Sequence, residues 1–366
     1  MDKFRGMLLG AVFVLMLFGG SLLFILSPKA DYSETERRPL AAAPDFRGEK
    51  ILDGSSFRAL NGWITDRFPG RDSWRSLNVQ WTRNVLRQPE ADGFVLYRDS
   101  VIRLEKEVNE ASLAYAGERF GVLYKRYLQG TDCRIYAAVI PDKSHYLKDA
   151  GYPVMDLSRM ETLFYEAIPG AVPVSLSDVL TLDSYYLTDS HWRQERILPA
   201  ADALLQAMDA GPAPSASDFG TARFSPFFGV YAGQSALDPD PEEILWFTGS
   251  YLECLQVTDP ETHRPVLLAD LEGCDPRDPY TLFLGGAKAV LRIEDPEADN
   301  DRELVVFRDS FGSAIAPLLA GNYRTVTLID PRYIALDAVG RYVRFTNQDV
   351  LFLFSAVLLN NSSGLR

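Results

Sequence analysis

Two short segments of this chain carry residue types suited to nucleophilic chemistry. In Leu304–Leu319 (LVVFRDSFGSAIAPLL) an apolar run ends at Asp309-Ser310, and a helical pattern starts within a few residues. A serine at such a strand-to-helix corner has its hydroxyl at the C-terminal edge of a sheet, facing the N–H groups of the helix start. Asp and Ser are also favoured helix N-caps, so the segment alone fits a nucleophile or a plain cap. In Tyr185–Glu195 (YYLTDSHWRQE), Asp189 and His191 stand two apart just before a helical stretch. A serine needs a base to take its proton, and that base needs a carboxylate to fix its tautomer. Asp-x-His supplies both from one turn, although a surface loop can have the same pattern. A metal site at this pair lacks a nearby His or Cys to complete the ligand set, so no metal is expected.

The chain has three histidines, which limits the alternatives. His145 is a rival base close behind a strand end, whereas His263 lies in an acidic, proline-rich loop (DPETHRP) and reads as a surface residue. Lys143 follows the same strand end. It would lie along the sheet edge where open α/β folds bind ligands, or else be a solvated turn lysine. The chain carries 37 basic and 50 acidic residues among 366, a net charge of −13 that argues against a nucleic-acid surface. Three cysteines are too few for a disulfide framework and lack zinc-site spacing. With 47% hydrophobic and 24% charged residues, the composition excludes a disordered, collagen-like or polytopic membrane chain.

The elements that must position these residues follow from periodicity. Met7–Leu26 carries no charge and is long enough to span a bilayer core, with Lys3 and Arg5 before it. Ser27-Pro28-Lys29-Ala30 is a poor cleavage site, so an uncleaved signal anchor over residues 1–28 is expected, with a cleaved signal as the alternative. Lys29, Arg37 and Arg38 weaken the positive-inside argument, but a short leader favours a C-terminal body outside the cell. Residues 29–48 read as a polar tether. Between Ile51 and Arg87, Phe57, Leu60, Trp63 and Ile64, then Trp74, Leu77, Trp81 and Val85, mark two amphipathic helices broken at Pro69-Gly70. Their aromatic stripes are expected to pack into a core.

An α/β alternation follows, with strands at Arg134–Ile140, Val172–Leu176, Leu304–Phe307, Thr325–Ile329 and Val350–Ser355. Helices are expected at Leu113–Leu128, Met155–Ala167, Gln194–Met208 and near Ser313–Leu319. Apolar strands of this kind suit a parallel sheet covered on both faces. Residues of about 220–300 carry short β-like runs between Pro, Gly and acidic turns, and read as a β-rich insertion or subdomain.

Taken together, the two chemical segments resemble a known family. TDSHW (Thr188–Trp192), preceded by Tyr185-Tyr186, resembles the YxxTDHHW signature of the DHHW family of Gram-positive bacteria. Val305–Ile334 resembles its block with a Lys/Arg-Asp-Ser corner and a later Asp-x-Arg-Tyr. SETERRPLAAAP (Ser33–Pro44), DRFPGRD (Asp66–Asp72), the Pro141–Lys143 turn and FFGVYA (Phe227–Ala232) agree as well, so the resemblance covers essentially the whole external body. The family is similar to extracytoplasmic proteins that accompany alginate O-acetyltransferases and have an SGNH-hydrolase-like domain.

The resemblance implies a three-layer α/β sandwich over residues 49–366, with Ser310 as nucleophile, His191 as base and Asp189 as its orienter. Ser190 stands where the family motif has its first histidine, and Arg308 where many SGNH enzymes have glycine. The oxyanion hole is therefore expected to differ from the usual one, with the Ser310 N–H as one donor. Arg308, Arg332, Tyr333 and Lys143 are the substrate-binding candidates. The implied function is a membrane-anchored O-acetyltransferase or acetylesterase acting on exported or cell-wall polysaccharide. It would use no cofactor and would receive acetyl groups from a multi-span membrane O-acyltransferase. The alternative is a non-catalytic cell-surface carbohydrate-binding or assembly protein that keeps the fold.

Overall fold

The computed structural model describes residues 2–27 and 30–366. Met1, Pro28 and Lys29 lie outside the described residues, as does the side chain of Lys3, so part of the expected basic flanks and cleavage stretch falls there. The chain divides into two compact units, one reaching Asp92 and including Ala232–Asp238, the other formed by Gly93–Tyr231 and Pro239–Arg366.

In the first unit, the helix Asp2–Leu26 is long and apolar enough to cross a membrane over Phe4–Leu26. The expected tether is held down. Tyr32–Ser33 pairs antiparallel with Arg38–Pro39, and Arg38 meets Asp66 at 2.7 Å while Ala41 N–H donates to Asp66 at 2.8 Å. The Arg38 hydrogen bond holds the Asp66 carboxyl down at about 2. The two amphipathic helices form as expected at Ser55–Asp66 and Arg71–Gln80, the second continuing into a π-turn at Trp81–Val85. Their break falls at Pro69-Gly70, where Gly70 has a φ of 69°. The stripes are corrected in most of their residues: Leu60 and Trp63 are half-buried, but Phe57, Ile64, Trp74, Leu77, Trp81 and Val85 are exposed, and on the second helix Arg71 and Arg75 take the inner face in ion pairs with Glu36.

The second unit is built on one sheet. Its strands are β1 (Arg134–Ile140), β2 (Val172–Pro173), β3 (Gln256–Asp259), β4 (Arg264–Pro265), β5 (Val290–Glu294), β6 (Glu303–Arg308), β7 (Thr325–Ile329) and β8 (Asp349–Ser355). The spatial order is β4-β3-β5-β7-β6-β8-β1-β2. From β7 to β2 all neighbours are parallel, whereas β5, β3 and β4 add on antiparallel. The β-rich stretch is therefore no separate subdomain. Part of it extends the main sheet, and Gly220–Phe227 with Glu242–Thr248 makes a two-stranded ribbon.

Alternate residues of the parallel strands feed two cores, as the pleat requires. Tyr136, Ala138, Leu304, Val306, Leu351 and Leu353 pack with helices Leu198–Ala207 and Gly312–Ala320. Ile135, Ala137, Val305, Phe307, Val350 and Phe352 pack with helices Glu110–Leu123 and Leu157–Glu166. This is the expected three-layer α/β sandwich. Phe120, fully buried, meets Phe164, Phe352 and Phe354 with ring centroids 5.8, 5.5 and 5.1 Å away. Phe120→Ala is expected to cost about 3–5 kcal/mol of unfolding free energy in urea titrations, since the site cannot collapse around the void. A loss below about 1 kcal/mol would show that this layer is not close-packed.

Candidate active site

The site lies at the C-terminal edge of the parallel strands, where open α/β sheets bind ligands. β6 ends at Arg308, and the chain turns through Asp309 and Ser310 into the helix Gly312–Ala320. Asp309 takes the capping role: one carboxylate oxygen accepts from Phe311 N–H at 3.1 Å, the other from Ser355 N–H at the end of β8 at 2.9 Å. That division leaves the Ser310 hydroxyl free for another partner. His191 Nε2 lies 2.8 Å from Ser310 Oγ, and His191 Nδ1 lies 2.6 Å from Asp189 Oδ1.

The loop carrying Asp189 and His191 is fixed from several sides. Tyr186 N–H donates to His191 O at 3.1 Å, and Tyr185 bridges to Trp192. Trp192 is fully buried and donates Nε1–H to Phe311 O at 3.0 Å, tying the loop to the serine corner. Gln194 does the same through Ala314 O at 2.8 Å. Asp189 Oδ1 also accepts from His191 N–H at 2.9 Å, and Oδ2 from Val230 N–H at 2.8 Å. Thr188 Oγ1 accepts from Gly229 N–H and donates to Glu242, whose carboxylate also takes the Leu187 and Thr188 N–H groups. Gly229 has no alternative here, because a Cβ would stand 2.4 Å from both Asp189 Cβ and Thr188 O. The FFGVYA segment is thus the clamp on the carboxylate.

Burial pulls the His191 imidazole down, but Asp189, with Asp278 and Asp309, outweighs it and holds the ring above its ordinary range. Burial pushes Asp189 up, yet its contacts with His191 and the Val230 N–H leave it well below the usual carboxylate range. The ring stacks on Tyr280, with centroids 3.9 Å apart and planes 13° from parallel, and leans on Phe311 at 4.7 Å.

A pocket of about 200 Å³ opens over these groups. His191, Ser310, Ser313, Arg308, Arg332 and Tyr333 line one part of it. Asp278, Tyr280, Thr281, Phe283, Gly286 and Ala287, from the loop between β4 and β5, line the rest. Arg308 is 1% exposed. Its Nη1 donates to Asp309 O at 3.2 Å and lies 3.6 Å from Asp330, while Nε and Nη2 have no hydrogen-bond partner among the described residues. Burial lowers its pKa, partly opposed by Asp330. Gly312 makes room for this side chain, since a Cβ there would meet Arg308 Cβ at 2.7 Å. Arg332 instead forks onto Asp330 at 2.9 and 2.6 Å. Tyr333 stands exposed at the rim.

Lys143 does not join this pocket, which corrects its placement as a ligand-binding lysine. It is fully buried, and its ammonium, with three N–H donors, sits within hydrogen-bond distance of the carbonyls of Val101, Tyr186, Leu187 and Asp189 at 2.8, 2.7, 3.1 and 3.0 Å. Burial pulls it down to about 8, against the pull of Glu242, Asp189 and Asp142. His145 sits half-buried beside Tyr146 and does not line the pocket, and His263 is exposed on a turn. No group of three or more metal-ligating side chains occurs among the described residues.

No protein-family model matches this chain, and no curated protein sequence matches it. Solved structures do. A DHHW family protein from Eubacterium siraeum superposes with a TM-score of 0.60 at 19% identity, over 75% of this chain and 95% of that one. Bacillus cereus PatB1, solved with a sulfonyl adduct, gives 0.56 at 18% identity, over 73% and 95%. At these identities the likeness establishes a shared fold.

Lys143→Met would take the ammonium away from four backbone carbonyls, of which Leu187 O keeps the Val101 N–H at 2.8 Å. It is expected to cost about 3 kcal/mol of stability, with faster hydrogen exchange at residues 186–191. A variant as stable as the parent, with unchanged exchange, would show that Lys143 does not hold this loop.

Proposed function

We propose that this chain is a membrane-anchored extracytoplasmic O-acetyltransferase or acetylesterase acting on exported or cell-wall polysaccharide. The observation that carries the reading is the unbroken line from Asp189 through His191 to Ser310, with contacts of 2.6 and 2.8 Å, opening onto the pocket. The resemblance of its motifs to the DHHW family supports the substrate class. PatB1, whose fold this chain shares, is found with a sulfonyl adduct, the kind of product that an activated nucleophile gives.

In this reading Ser310 Oγ attacks the acetyl carbonyl carbon while His191 Nε2 takes its proton, and Asp189 steadies the imidazolium through Nδ1–H. The tetrahedral oxyanion is met by the Ser310 N–H and by Arg308, whose Nε and Nη2 hydrogens are otherwise unspent. Collapse expels the donor oxygen, which takes the proton from His191, and leaves acetyl-Ser310. A sugar hydroxyl then gives its proton to His191 and takes the acetyl group, while the Ser310–acetyl bond breaks and His191 returns the proton to Ser310 Oγ; water in place of the sugar makes the reaction a hydrolysis. Arg332 and Tyr333 at the rim are the acceptor contacts. Transfer outside the cell needs an acetyl supplier, for which a multi-span membrane O-acyltransferase is the partner. The helix Asp2–Leu26 would hold the body at the outer membrane face.

On an acetyl ester, Ser310→Ala and His191→Ala are each expected to lower kcat by about 10⁴-fold or more, with little further loss in the double variant. Activity that survives both substitutions would remove the triad. The pH profile adds a second check. Because His191 is held above its ordinary range, the neutral base forms only at higher pH, and activity falls as pH drops through that value. The acid limb of kcat/KM should therefore lie above about 6.5, and Asp189→Asn should move it down while cutting kcat by roughly 10³–10⁴. An acid limb unmoved by Asp189→Asn would contradict the assignment of His191 as base.

A further inference from the structure

In the first unit the usual arrangement of an amphipathic helix is inverted. Trp74, Leu77, Trp81 and Val85 recur at intervals of three, four and four along Arg71–Val85, and all of them face outward. Trp74 is 57% and Trp81 56% exposed. The same helix turns Arg71 and Arg75 inward to Glu36, Arg75 at 3.2 Å, and Val79 is buried beside them. Phe57, Ile64 and Phe68 are exposed on and after the preceding helix, and Leu52 is 90% exposed. So much apolar side chain outside, with arginines inside, is unfavourable in water and calls for an apolar surrounding.

Two observations identify that surrounding. The wholly apolar helix Asp2–Leu26 belongs to the same unit, and its Phe24 ring packs edge-on against Trp63 with centroids 5.4 Å apart. That contact joins a helix suited to a bilayer to Ser55–Asp66, one of the helices that carry the exposed apolar residues. Charge agrees: from Arg47 to Arg87 there are eight Lys or Arg and four Asp or Glu, and once Arg67, Arg71, Arg75 and Asp66 are set aside as engaged in inward ion pairs, five basic and three acidic residues remain, in a chain whose net charge is −13. A basic helical segment with Trp, Phe and Leu on its outer face suits the headgroup boundary of an anionic membrane. We propose that helices Gly48–Leu52, Ser55–Asp66 and Arg71–Gln80, with the turn Trp81–Val85, lie in the interface of an anionic bilayer beside the N-terminal helix. The proposal rests on the reading of Asp2–Leu26 as a membrane span.

The test uses the full chain reconstituted in phosphatidylcholine–phosphatidylglycerol vesicles whose acyl chains are brominated close to the headgroups. Trp63, Trp192 and Trp246 serve as the common background, and a W74F/W81F variant with unchanged circular dichroism as the comparison. Bromolipid is expected to quench the parent roughly two-fold more than the variant, with Trp74 and Trp81 shielded from aqueous iodide. Equal quenching in the two proteins, with Trp74 and Trp81 open to iodide, would overturn the proposal. Shielding that arises only when other membrane proteins are co-reconstituted would overturn it in favour of a protein partner. Alkaline carbonate extraction reads the span separately: release from the vesicles would remove the anchor, while the quenching difference still reports on the interfacial face.

Discussion

The carboxylate of Asp189 sits out of water, and a buried anion persists only where charge and hydrogen bonds replace its hydration. Much of the local structure meets that demand. The His191 ring and backbone satisfy one oxygen, and the Val230 N–H satisfies the other. Gly229 lets the clamping segment come close enough, and Glu242 gathers the N–H groups of Leu187 and Thr188. The ammonium of Lys143 collects the carbonyls of the same loop, Asp189 included. A carboxylate held so firmly fixes the imidazole by its Nδ1 edge, and so aims Nε2 at the serine corner.

The corner is in turn a product of the parallel sheet. β6 and β8 run side by side, and their ends bring Ser355 N–H to Asp309, which then cannot drift. Because Asp309 caps the turn, Ser310 does not have to, and its hydroxyl remains available to His191. Trp192 and Gln194 cross from the histidine loop to the first turn of the following helix, so hydrogen bonds tie the two halves of the site together. The proposed reaction would draw on this double support, since small displacements of a base are costly.

What could be read from the sequence was what is local. The Asp-x-His turn, the Asp-Ser corner and the parallel strands each lie within a short window, and the family resemblance joined them. The pocket wall from Asp278 to Ala287 was not legible, because it is an irregular loop without periodicity, carried in by the antiparallel strands at the far side of the sheet. Lys143 reads as a solvated turn lysine or an edge ligand, since nothing near it in sequence reveals four carbonyls supplied from residues 101 and 186–189. That the tether is held down escaped recognition for a similar reason: its partners, Asp66 and Arg71, lie some thirty residues on. The helices Ser55–Asp66 and Arg71–Gln80 teach a sharper lesson. Periodicity identifies which residues share a face, and it is silent on whether that face meets protein, lipid or water.

The account turns on Ser310 being an activated nucleophile, and covalent labelling tests this most directly. A small arylsulfonyl fluoride incubated with the intact chain, followed by peptide mass spectrometry, reports which side chain is sulfonylated and how fast. One adduct per chain, on Ser310, formed at a rate that collapses in His191→Ala, is the expected result. Labelling that misses Ser310, or that proceeds equally well without His191, would contradict it.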